Sequence, residues 1–145
     1  MSTLTRFFFT PAPAPRDPWI TLAWWEARRP AYNLFVGAAG AVTIVIMTVV
    51  DFLPPRGLLY GVPFMPPLAL IGLYAVLANA FYSLGALVEY AVRRSWGEDY
   101  APVGPALLRY GFAFSVGLTL LPITVAALAW GARLLAALGL SSLGR

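Results

Sequence analysis

The stretch YGFAFSVGLTLLPITVAALAWGA, residues 110–132, contains no charged side chain. As an α-helix rising about 1.5 Å per residue it is roughly 35 Å long. About 20 apolar residues suffice to cross the hydrocarbon layer of a bilayer. Two more charge-free runs lie upstream, Pro30 to Val50 and Gly57 to Val88. The core of a water-soluble domain does not produce three such runs in 145 residues. The reading is therefore an all-α integral membrane protein with three transmembrane helices.

Composition agrees. Hydrophobic residues make up 60% of the chain and charged residues 11%, against about 45–50% and about 25% in soluble domains. Histidine and cysteine both number 0. Disulfides and thiolate metal sites are thereby excluded, as are the commonest metal ligand and the usual axial haem ligand. No cofactor is expected. The formal net charge of +4 comes from ten basic residues, all arginine. These arginines fall at the ends of the apolar runs, which explains the charge without a nucleic-acid partner. An arginine-only, Ala/Gly/Pro-rich composition hints at a bacterial source.

Residues 1–16 read as an extended N-terminal arm, because Pro11, Pro13 and Pro15 alternate and forbid a helix. Phe7, Phe8 and Phe9 form too short a run for a signal peptide and suit lipid headgroups or a partner groove. Residues 17–30 predict a short interfacial helix. Asp17 caps it, Pro18 takes its first position and Pro30 stops it. Residues 31–145 form the transmembrane domain, with spans at about 31–52, 67–93 and 107–133. Pro66 and Pro67 suit the first turn of the second span. Pro122 is expected to kink the third span, and residues 134–145 are a frayed or interfacial tail. Residues 56–65 read as a surface loop.

Arginine counting sets the orientation. Arg6, Arg16, Arg28, Arg29, Arg93, Arg94 and Arg109 gather on one side, and Arg56, Arg133 and Arg145 on the other. The richer side is expected in the cytoplasm, so the N-terminus and the loop from Ser95 to Pro105 face inward.

Three groups of residues invite a functional reading. Trp19, Trp24, Trp25, Arg28 and Arg29 either dock a partner, since Trp and Arg dominate binding hot spots, or anchor the chain in headgroups with snorkelling arginines. Headgroup anchoring is the favoured reading, and Glu26 and Arg29 are spaced to pair on the helix surface. On the second span lie Asn79, Tyr82, Ser83 and Glu89. They serve either an ion or proton path or interhelical hydrogen bonds; the second is favoured, with Glu89 pairing to Arg93. Small residues at helical spacing, Gly37 and Ala41, then Gly111, Ser115 and Thr119, allow close helix approach. No phosphate loop, activated nucleophile or metal-ligand cluster is visible, so the chain is not expected to be an enzyme.

The segment from Trp24 to Asn33, with its Trp-Glu-x-Arg-Arg-x-x-Tyr-Asn pattern, followed by Asn79 to Gly85 and Glu89, resembles small bacterial multi-pass membrane proteins of unknown function. That resemblance implies no activity. The expectation is a non-catalytic accessory subunit of a bacterial inner-membrane complex of respiratory or photosynthetic type. It would contact other integral membrane subunits and membrane lipids. A small homo-oligomeric transporter or channel is the alternative.

Overall fold

A computed structural model describes residues 5, 6, 8, 10–12, 17–56, 66, 68–97 and 102–143, with side chains to residue 139. Phe7, Phe9, the loop at 57–65, Pro67 and residues 98–101 lie outside the described residues. The described residues form helices and no strand: α1 (Pro18–Glu26), α2 (Arg29–Phe52), α3 (Leu68–Trp96) and α4 (Gly104–Leu143). Taken with α1 as one segment, α2, α3 and α4 are each long and apolar enough to cross a membrane.

Asp17 caps α1 as its side chain predicts: its carboxylate accepts from the Ile20 N–H at 2.7 Å. Pro30 does not stop this helix. The chain turns at Ala27 and Arg28, and α2 begins at Arg29 with Pro30 in its first turn. A first-turn N–H has no intrahelical partner to lose, so proline costs little there. The expected free-standing interfacial helix is thus joined to the first span. Pro105 occupies the same kind of position in α4. Pro122 lies inside α4, which runs on to Leu143 and takes in most of the expected tail. α3 starts after Pro66 and reaches Trp96, past the expected end at 93.

The chain divides into two compact units. The first comprises Met1–Phe35 and Leu68–Ser115, the second Val36–Pro67 and Val116–Arg145. In the second unit α2 and α4 run parallel. The Thr43 hydroxyl donates to the Thr119 carbonyl at 2.8 Å, and Arg133 lies 3.7 Å from Asp51. The Trp130 indole N–H reaches the Pro54 carbonyl at 3.2 Å.

In the first unit the chain from α1 into α2 runs antiparallel to α3. Arg93 donates to Thr21, Trp25 to Glu89, Arg29 to Ser83, and Tyr32 to the Ala78 carbonyl. Each step forward on one strand of helix is a step back on the other. α1 therefore stands along α3 rather than across it.

Candidate functional site

The first unit is built around two fully buried side chains, Trp25 and Tyr32, both 2% exposed. Trp25 stands edge-on to Tyr82, with ring centroids 5.3 Å apart. Tyr82 in turn lies 4.7 Å from the Tyr32 ring. The Trp25 ring fits over Gly85, where a Cβ would come within 2.6 Å of it. Only glycine leaves that space. The Tyr82 hydroxyl donates to the Trp25 carbonyl at 2.6 Å, and Tyr32 bonds Ser115 at 2.9 Å. Edge-to-face rings with satisfied hydroxyls make a rigid, specific core.

Glu89 is buried in this core at 6% exposure. The Trp25 indole N–H donates to its carboxylate at 2.6 Å. Its other neighbour is Gly104, the first residue of α4, against which the carboxylate lies so closely that a Cβ there would collide with it. A helix N-terminus carries a partial positive charge and suits an acidic side chain. The expected Glu89–Arg93 pair does not form; Arg93 bonds Thr21 instead. α1 packs on this face and offers the indole N–H from the side, which the sequence of α3 alone does not reveal.

Trp24 and Arg28 are buried too, at 7% and 8%. The Arg28 guanidinium stacks 3.9 Å above the Trp24 ring and donates to the Trp24 carbonyl. The Trp24 indole N–H donates to the Thr10 carbonyl at 2.8 Å. Phe8 packs against Phe35 and Phe112. The described residues of the N-terminal arm thus lie on the chain's own helices, and Thr5, Arg6 and Phe8 are helical rather than extended. Trp24, Trp25 and Arg28 are thus buried against the chain itself, where the expectation had them turned to headgroups or a partner, and Phe8 is half-buried. Trp19, 78% exposed, does face outward.

Asn79 and Ser83 share a face of α3, and Arg29 binds both, donating to Asn79 Oδ1 at 3.3 Å and Ser83 Oγ at 3.0 Å. Arg29 also makes a two-pronged pair with Glu26 at 2.8 and 2.6 Å. Asn33 and Asn79 exchange reciprocal amide bonds of 3.3 and 3.1 Å. Glu26 and Asn33 are exposed, whereas Arg29, Asn79 and Ser83 are half-buried. Asn33 closes the Trp24–Asn33 segment noted in the sequence, but its pairing with Asn79 was not read there. Its i+4 spacing from Arg29 was the available signal.

Beside this core opens a cleft lined mainly by Trp25, Tyr32, Tyr82, Gly85, Gly111 and Phe112. Among the described residues no three acidic side chains come together as a metal site would require. No protein-family model matches the chain, and no curated protein or solved structure is significantly similar to it.

Proposed function

We propose that the chain is a non-catalytic accessory subunit of a larger bacterial inner-membrane assembly of respiratory or photosynthetic type, contributing helix packing and contacts to subunits and lipids. One observation carries this reading. In the most apolar window of each span, only 6–11% of residues are buried against the chain itself. The polar side chains of the first unit are meanwhile largely engaged in internal hydrogen bonds. A chain that spends its polar groups inside and leaves its apolar helix faces uncovered is suited to filling and bridging an assembly. Trp19, Tyr90 and Trp96, all exposed, belong in this reading at the cytoplasmic headgroup boundary. α1 would stand upright there beside the end of α3.

Extraction in a mild detergent, followed by mass identification of everything that co-purifies, tests the proposal. A reproducible set of integral membrane partners is the expected result. Recovery of the chain alone, across several mild detergents, would overturn it.

A further inference from the structure

The cleft beside Trp25 lies wholly within the first unit, between α3 and α4. Its depth follows from the register of those two helices. Glu89 touches Gly104, and the Tyr32 hydroxyl meets both the Ala78 carbonyl and Ser115. Ala78 and Glu89 are eleven residues apart, and so are Gly104 and Ser115. The two helices therefore run antiparallel, and Gly111 comes level with Tyr82. On α3 the cleft reaches from Gly85 down to Phe81, five to nine residues before Tyr90, or about 8–14 Å along the helix. With Tyr90 at the cytoplasmic headgroup boundary, the cleft opens among the acyl chains of that leaflet.

The lining selects against polar occupants. Trp25, Tyr32, Tyr82 and Leu108 form a buried floor, and Phe81, Leu107 and Gly111 a more open rim. Among the described residues each polar side chain of the lining already has a partner within the chain. The Trp25 indole N–H donates to Glu89, the Tyr82 hydroxyl donates to the Trp25 carbonyl, and the Tyr32 and Ser115 hydroxyls meet each other. A water needs two to four polar partners to be held in such a place. A ligand with a polar ring, such as a quinone, gains no new hydrogen bond from these side chains either. Left empty, the cleft would forfeit the dispersion contacts of its walls. Gly111 keeps it open: a Cβ there would meet nothing within 4 Å. The small residue expected to bring two helices together instead leaves room between them.

We propose that the cleft holds one acyl chain of a phospholipid of the cytoplasmic leaflet. Its rim is continuous with the apolar surface that this reading turns to lipid. Phe81 belongs to both and is 63% exposed. Tyr110 and Phe114, which flank Gly111 on α4, are 74% and 64% exposed. An acyl chain is apolar, flexible and already present at this depth, so entering the cleft costs it only conformational freedom. In return it gains close contact with the aromatic floor. Packing of this kind, rather than the hydrophobic effect, drives association inside a bilayer. The proposal deepens the accessory-subunit reading and rests on its membrane placement: one of the lipid contacts of that subunit becomes a defined site.

The test places the full chain in phosphatidylethanolamine/phosphatidylglycerol vesicles that also contain a phosphatidylcholine with a photoactivatable diazirine at mid-chain. Illumination followed by peptide mass mapping reads which residues the tails touch. Adducts are expected on Trp25 and Tyr82, although these are only 2% and 5% exposed, alongside adducts on exposed Leu73. Gly111→Leu fills the open space at the rim and substitutes a better helix former. It should lower labelling of Trp25 and Tyr82 several-fold and leave Leu73 unchanged. Leu107→Trp narrows the rim from the same helix and serves as a second blocking variant. Thermal unfolding followed by circular dichroism shows which variants fold. Labelling of Leu73 without Trp25 and Tyr82, or labelling that a folded blocking variant leaves unchanged, would overturn the proposal. Labelling in vesicles that is lost when the same lipid is introduced into native membranes would give the cleft to a neighbouring subunit and overturn it too. The co-purification test depends on none of these outcomes, so the accessory reading stands or falls separately.

Discussion

Replacing Trp25 with Phe removes one hydrogen bond from the centre of the first unit and keeps most of the ring. The indole N–H meets a buried carboxylate at 2.6 Å, and a hydrogen bond to a charged group contributes about 1.5–3 kcal/mol. The smaller ring keeps much of the edge contact with Tyr82 but gives up the distal indole atoms that lie over Gly85, which adds a packing cost of about 1 kcal/mol. Trp25→Phe is therefore expected to destabilise the chain by about 2–4 kcal/mol in total. Trp25→Ala should cost about 3–5 kcal/mol from lost packing alone, with the unmet carboxylate in addition. The double-mutant cycle with Glu89→Leu separates the two contributions. In the leucine background there is no carboxylate to leave unsatisfied, and the cost of Trp25→Phe should fall to its packing share. Reversible unfolding in mixed micelles, titrated with a denaturing detergent and followed by circular dichroism, measures each corner. A Trp25→Phe cost under about 0.5 kcal/mol, or one unchanged in the Glu89→Leu background, would refute the assignment of this bond as a main tie between α1 and α3.

Gly104→Ala should destabilise by about 1–3 kcal/mol, since its Cβ would run into the Glu89 carboxylate; Glu89→Ala in the same chain should relieve most of that cost in the same unfolding assay. Removing residues 1–16 takes away Phe8 from Phe35 and Phe112 and the Thr10 acceptor from Trp24. The expected loss is about 1–3 kcal/mol, and an unchanged unfolding midpoint would show that these contacts carry no weight. Single cysteines at Ser2, Ser95 and Ser142, probed in intact cells with an impermeant thiol reagent, should label only at Ser142. Labelling at Ser2 or Ser95 without Ser142 would invert the orientation derived from the arginines.

Three apolar spans were legible in residues 30–50, 57–88 and 110–132 because membrane crossing depends on length and absence of charge, both local properties. The Asp17 cap and the Glu26–Arg29 pair were legible for the same reason, being contacts within one turn or so of helix. Pro30 misled, because a proline that ends one helix and a proline that begins the next look alike until the turn residues are placed. The candidate site was only half legible. Asn79 and Ser83 were found on one face, but their partner Arg29 lies 50 or more positions away in sequence.

The sequence by itself determined that the chain is helical, how many apolar spans it has, and that histidine and cysteine chemistry is closed to it. Only the tertiary structure decided that Trp24 and Trp25 face inward, that Glu89 answers Trp25 rather than Arg93, and that Arg29 and Asn33 both meet Asn79. The physical reason is range. Desolvation of a span and capping of a helix are settled within a few neighbouring residues. The direction of an amphipathic ring such as tryptophan depends on which surface arrives beside it, and a headgroup layer and the flank of another helix satisfy the same apolar face and the same N–H.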